Sequence, residues 1–394
     1  MQTEFLEDER IGPEHLIGAI FLAQKRALVL QESALQCRRA DLRGLQQTCV
    51  DRLKAIYERL EWILKSVQIV WASDPASVVH DYRALNEHLS MIERSGVFAL
   101  IHSADNDPFL SNLTQQICED ICYPLQIPIV SETSPSHFTI DEDFNVLYVP
   151  PLENRFLLHL PDLYHELGHP ILFDDNLKLP SLKPVKVEYA LAIFDRIQNL
   201  EERIVDSERR EGPEMTRRRM SAFLDSWVTS WMREFYCDLF ATYCLGPAYA
   251  WSHCHLCLKL SSNPFDTPNF EKTTHPSDAS RMNVILCGLK ALGFKQECDQ
   301  ITKIWSDQIQ LGGYSENMIH KQCYPEDALA GIARGAIDAF ENVGLKAARP
   351  DKLSGVALCL NQAWQSFWSD PGGFSDWETV AIAHLQTVLS GHKT

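Results

Sequence analysis

Residues 165 to 169 read His-Glu-Leu-Gly-His. On a helix, positions four apart lie on one face, so both imidazoles reach a single cation and Glu166 sits beside them on the adjoining face. Three protein ligands plus a water make a catalytic zinc site. The metal lowers the pKa of the water, and a neighbouring carboxylate removes its proton. That chemistry accounts for both the residue types and their spacing. With 14 His in 394 residues the pattern is short enough to arise by chance, so its surroundings must decide.

A third ligand is needed. A His soon after the motif is ruled out, because residues Pro170 to Pro180 contain none. A Glu on a later helix fits. Glu234-Phe-Tyr-Cys-Asp238 places Glu234 and Asp238 on one helical face. Glu234 can bind the metal while Asp238 accepts the other N–H of a ligand imidazole, which fixes the tautomer. Their neighbours Trp227, Trp231, Phe235, Tyr236, Leu239 and Phe240 make a pair of solvated carboxylates hard to sustain.

HELGH at 165–169 followed by EFYCD at 234–238 resembles the gluzincin group of zinc metallopeptidases. Thr274-His275-Pro276 and then Arg281, after Leu245-Gly246-Pro247-Ala248, sharpen the resemblance. This order is similar to the membrane-associated gluzincins that include the prenyl-protein peptidases and bacterial heat-shock membrane peptidases. It covers roughly Phe144 to Leu292, and the membrane spans of those proteins are missing. The resemblance implies a zincin-like core with Zn2+ on His165, His169 and Glu234. It also implies Glu166 as base and acid, and Asp238 behind a ligand imidazole. His275 is a candidate donor to the oxyanion of the tetrahedral intermediate, in competition with Tyr236, Tyr164 and Tyr148. Arg281 either pairs with Asp238 or Glu234 or lies on a solvated face.

Two features depart from the usual pattern. Pro170 follows His169 directly, which predicts a kink or stop in the metal helix. Asp162 is expected to cap that helix from the N-cap position. His159 reads as structural. Cys254 and Cys257, with His253 and His255 interleaved, form a CxxC, but no second pair matches it, so buried thiols are expected there and at Cys118 and Cys122.

The elements that must position these groups are mostly helical. Pro13 to Val70 predicts a long helical hairpin, with Leu53, Ile56, Tyr57, Leu60, Ile63 and Leu64 as one stripe. Asp74-Pro75 breaks it, and helices follow over Ala76–Arg94 and Pro108–Cys122. Ile127–Val130, His137–Ile140 and Asn145–Val149 read as short strands. Asn145–Val149 is expected to be the strand beside the metal helix, where such enzymes lay the substrate as an added strand. Helices are then predicted over Val185–Arg210, Arg217–Cys244, Pro325–Asn342, Leu353–Trp368 and Trp377–Leu389. The fold class is mainly α with a small β-sheet. The division is a helical N-terminal region to 123, a zincin-like catalytic domain over 124–299 and a helical C-terminal region from 300.

The formal charge of −17 argues against a partner that presents phosphate backbones. The Arg217–Arg219 run reads as a solvated face. No stretch resembles a membrane span, and the acidic start from Met1 to Arg10 does not resemble a signal peptide. Scattered cysteines fit a cytoplasmic location. The reading is a zinc-dependent endopeptidase acting on a protein or peptide, with a regulatory protein partner on the added helices. The alternatives are a non-enzymatic helical interaction protein with a structural or vestigial metal site, and a metal-dependent hydrolase of a small amide.

Overall fold

Apolar residues at alternating three- and four-residue spacing make a helix with one buried seam, and such a helix needs a partner. The N-terminal segment meets that need with its own hairpin. Helix α1 (Pro13–Leu35) buries Leu16, Ile20, Ala23, Ala27, Leu30 and Ala34. Helix α2 (Arg43–Val70) buries Leu45, Cys49, Leu53, Ile56, Leu60, Ile63 and Val67. Three alanines on α1 allow its backbone to approach α2 closely. Helix α3 (Pro75–Met91) is started by Asp74, whose side chain accepts from the Ser77 N–H at 3.1 Å.

The computed structural model describes residues 13–70, 73–102, 108–134, 137–173, 189, 213–260, 263–268 and 270–391. The chain is mainly helical with one small three-stranded sheet, order β1-β3-β2. Strands β1 (Ile129–Ser131) and β3 (Val146–Tyr148) pair in parallel, with Val130 opposite Leu147. Strand β2 covers Thr139–Asp141. No helix among the described residues is long and apolar enough to cross a membrane. Apart from Tyr189, the helix predicted over Val185–Arg210 lies outside the described residues.

The chain divides into two compact units. The first comprises Met1–Asp107, Pro128–His137 and Asp143–Val149, and its core joins the α1, α2 and α3 seams to Phe144 and Val146. The second comprises Pro108–Ile127, Phe138–Glu142 and Pro150–Thr394. In it, helix α4 (Phe98–His102) has no part; the first long element is α5 (Phe109–Asp120), followed by α6 (Asp162–Phe173) and α7 (Pro213–Ser226). A π-helical turn, Trp227–Trp231, leads into α8 (Met232–Leu245). Then come α9 (Pro247–Leu260), α10 (Asp278–Leu292), α11 (Lys295–Leu311), α12 (Met318–Cys323), α13 (Glu326–Val343), α14 (Gly355–Ser369) and α15 (Phe374–Gly391).

Helix α8 is the axis of the second unit, buried without a break from Glu234 to Leu245. One side carries Trp227, Trp231 and Phe235 against Tyr324. Another carries Tyr236, Phe240 and Tyr243 around Phe340. Its C-terminus is set by Gly246, whose φ of +80° suits glycine alone among ordinary residues. Pro247 then opens α9 at a position where its missing N–H costs nothing. Asn361 fastens this turn. Its amide donates to the Leu245 carbonyl at 2.8 Å and its oxygen accepts from the Ala248 N–H at 3.0 Å.

Helices α6 and α8 meet at Gly168. A Cβ placed there would stand 3.1 Å from the Cys237 Cα and 3.2 Å from its Sγ. A backbone atom cannot rotate aside, so the two helices would have to separate. Gly168→Val is expected to destabilise the fold by on the order of 2 kcal/mol, the scale of overpacking. A lowered denaturation midpoint at unchanged slope against denaturant checks this.

Candidate metal centre

Helix α6 begins at Asp162, so that residue lies in the first turn and not at the N-cap as expected. The lead-in is tight: Leu163 N–H donates to Leu160 O at 3.0 Å and Tyr164 N–H to Pro161 O at 3.1 Å. The Asp162 carboxylate accepts from Ser252 Oγ at 3.4 Å, and burial pushes its pKa up. Helix α6 does not stop at Pro170. It continues to Phe173, because Ile171 and Leu172 are buried and their packing offsets the hydrogen bond that proline cannot make. His159 is structural, its Nδ1 at 2.9 Å from Glu153 Oε2.

The structure brings His165, Glu234 and Asp238 together. Asp238 is fully buried and lies behind His165, its Oδ1 at 3.1 Å from Nδ1. Glu234 lies on the other edge of the same ring, its Oε2 at 3.5 Å from Nε2. His169 faces His165 with ring centroids 5.2 Å apart. Cys237 joins this group, since one ligand atom from each of His165, His169 and Cys237 lies within 4.8 Å of the others. Glu234, the expected third ligand, is not part of this group, although its Oε2 lies 3.5 Å from His165 Nε2. Burial pushes the Cys237 thiol well above its ordinary range.

Two helices complete the surroundings of Asp238. Arg281 on α10 takes it in both arms, Nε to Oδ2 at 2.8 Å and a terminal nitrogen to Oδ1 at 2.6 Å. Of the alternatives open in the sequence, the Asp238 pair is the one formed. Tyr249 on α9 donates to Asp238 Oδ1 at 2.5 Å, with its hydroxyl 2.9 Å from His165 Nδ1. Tyr249 escaped the sequence reading. The one signal for it was its place on the first turn after Gly246-Pro247, the stop that follows the EFYCD helix.

Electrostatics follow from this layout. Burial alone would depress His165, yet its hydrogen bonds to Asp238 and Glu234 outweigh burial and raise its pKa to about 10. His169 lacks such partners, and burial lowers it to about 3. Burial would raise Glu234, but the His165 hydrogen bond wins and holds it down to about 2. Burial lifts Glu166 to about 8.

Glu166 accepts a hydrogen bond from the backbone N–H of Ile140. Strand β2 is therefore a strand whose backbone reaches the metal helix, which sequence order did not suggest. His275 stands before Pro276 and is exposed. Its Nε2 is 3.8 Å from Glu234 Oε2 and its Nδ1 2.9 Å from Thr274 Oγ1. Of the competing tyrosines, Tyr236 packs edge-on against Tyr189 and Phe340. Tyr164 lies among Cys118, Cys244, Cys359 and Asp120. Tyr148 donates to the Ser95 carbonyl.

The CxxC does not act as a pair. Cys254 donates to Gln308 Oε1 at 3.3 Å, whereas Cys257 faces His253 at 3.7 Å. Cys118 is a buried thiol pushed up to about 12, whereas Cys122, expected to be buried, is exposed, and all twelve cysteines are free. Arg218 and Arg219 lie over the Phe270 ring at 5.5 and 6.0 Å.

His165, His169 and Cys237 make a grouping that could hold a metal ion, with His165 oriented from behind by the buried Asp238 carboxylate. No family model matches this chain, and no curated protein or solved structure matches it.

The Asp238–Arg281 pair yields a stability test. The folded pKa of Asp238 lies well below its ordinary 3.8, because two-armed pairing with Arg281 overcomes burial. Its stabilisation is therefore present above that pH and lost as pH falls through the folded value. Arg281→Met leaves the carboxylate buried with its main counter-charge gone, a loss of about 3–5 kcal/mol at neutral pH. The gap between parent and variant should narrow below about pH 4. Urea melts at neutral pH and near pH 3.5 check both the size and the trend.

Proposed function

We propose that this chain is a zinc-dependent endopeptidase of gluzincin type, built on a zincin-like core. The observation that supports it most is the joint placement of HELGH, Glu234 and the Asp238 network on α6, α8, α9 and α10. His165, His169 and Glu234 would hold the ion. A zinc ion bound by such ligands acts as a Lewis acid on a carbonyl and lowers the pKa of a water.

The chain's own groups then have defined work. Asp238 and Tyr249 orient His165 through Nδ1 and leave Nε2 directed at Glu234. Ile140 N–H orients the Glu166 carboxylate. Glu166 takes the proton of the attacking water and returns it to the leaving amine. Glu166 is buried, and burial makes proton acceptance favourable. His275 lies beside Glu234, in the position of a donor to developing negative charge on the substrate oxygen. Strand β2 is the segment along which an extended peptide would lie. A protein substrate in the cytoplasm, and a regulatory partner on the added helices, complete the proposal.

A structural metal site on a non-enzymatic helical protein is the second reading. It is favoured by the near-complete burial of His165 and Glu166, at 7% and 9% exposure. The two readings separate at Glu166. Glutamine has nearly the same shape but cannot accept the water proton. Glu166→Gln is expected to fold and bind zinc as the parent does, while cleavage drops by a factor of roughly 10²–10⁴. Expressing parent and variant in cells and comparing newly formed protein termini makes the measurement. Termini that appear alike with both forms, or with neither, count against catalysis.

A further inference from the structure

We infer that His253, Cys257 and Asp278 form a second divalent-metal site, of zinc class, that clips helix α9 to the start of α10. This inference does not depend on the chain being a peptidase.

His253 and Cys257 are four apart on α9 and share a face. Asp278 is the first residue of α10, after the N-cap Ser277. One ligand atom from each of the three lies within 4.8 Å of the others. The closest pair, His253 Nε2 and Cys257 Sγ, is 3.7 Å apart. A tetrahedral zinc ion with ordinary Zn–N and Zn–S bonds holds its nitrogen and sulfur ligands about 3.5 Å apart. The Asp278 carboxylate is within hydrogen-bonding reach of the same thiol. The three donors therefore already stand at nearly the spacing that one ion requires.

Imidazole, thiolate and carboxylate together suit zinc. Calcium and magnesium prefer shells made of oxygen. His253 is buried, while Cys257 and Asp278 are half-buried. The open side leaves the fourth position to water. Asp278 also lines a cavity of about 450 Å³ with Asn263, Asp266, Thr267 and Ser277. Arg281, whose charge is felt at His253 and Cys257, is already committed to Asp238 by two bonds. Ligation replaces a long bond, His253 Nε2 to the Asp278 carbonyl at 3.2 Å. The imidazole proton moves from Nε2, where it serves the Asp278 carbonyl, to Nδ1, and the thiol releases one proton to solvent. Cys254 takes no part, since it is bonded to Gln308.

The site has a mechanical role. Tyr249, His253 and Cys257 recur at four-residue intervals along α9, and Arg281 follows Asp278 by three on α10. A clip at His253, Cys257 and Asp278 holds together the two helices that deliver Tyr249 and Arg281 to Asp238.

The test uses the full chain carrying His165→Ala and His169→Ala, which empties the HELGH centre. After dialysis against a weak chelator this variant should retain about one zinc per chain. Adding Cys257→Ala should reduce zinc to near zero, and adding Cys254→Ala should leave it unchanged. Cobalt in place of zinc should give a thiolate-to-metal charge-transfer band that Cys257→Ala abolishes. Circular dichroism confirms the fold of each variant, and Asp278→Asn substitutes should Cys257→Ala unfold. Asp278→Asn should weaken zinc retention at least tenfold. Absence of zinc in the double variant overturns the inference. So does zinc that survives both Cys257→Ala and Asp278→Asn, or that is lost equally with Cys254→Ala.

Discussion

One buried carboxylate organises the second unit. Asp238 has no exposed surface, and a charge in that position is tolerable only if its partners are all in place. Four helices supply or receive them: α8 carries Asp238 itself, α10 brings Arg281, α9 brings Tyr249 and α6 brings His165. Each of these helices also buries apolar surface, but that force has no direction and fixes no register. Register comes from the carboxylate, since a shift of any one helix by a residue would leave a charge or a hydroxyl without its partner. The turn at Gly246, fastened by Asn361, starts α9 directly after α8, and Tyr249 on its first turn reaches Asp238.

The same carboxylate makes two similar histidines different. His165 and His169 share a motif and a helix, with His165 buried and His169 half-buried. Asp238 and Glu234 flank only the first, so His165 favours its proton while His169 sheds one. On the proposed metal reading, an ion would meet a neutral His169 and an ionised Glu234 and would displace one proton from His165. Glu166 stands apart from this exchange and is governed mainly by burial.

What could be read from the sequence and what could not have separate physical causes. HELGH, Glu234 and Asp238 are legible because a helix converts spacing of four into a shared face without knowledge of the fold. Arg281 was legible as a candidate but not as a partner, because pairing is a tertiary fact. Tyr249 and Asn361 were not legible. A single tyrosine or asparagine inside an apolar helix has no periodic signature, and its importance lies in what meets it from elsewhere. That β2 reaches α6 was not legible for a related reason: nearness in sequence is a poor guide to which strand reaches a helix. The long helices and the α1–α2 seam were legible, since their pattern repeats over many turns. The continuation of α6 past Pro170 was not, because burial of Ile171 and Leu172 overrides a local rule.

The π-helical turn at Trp227–Trp231 acts as a reading-frame marker for the site. Such a turn accommodates one extra residue in an otherwise regular helix. Every side chain beyond it is thereby rotated by about 100° relative to an uninterrupted α-helix. Glu234 and Asp238 lie within two turns of it. A one-residue deletion confined to this turn would return it to regular α-helix and leave both carboxylates on their present neighbours. The same deletion between Glu234 and Asp238 has no bulge to absorb it and would turn one carboxylate against the other by about 100°. Tolerance of length changes is therefore expected to differ sharply between two adjacent stretches of one helix.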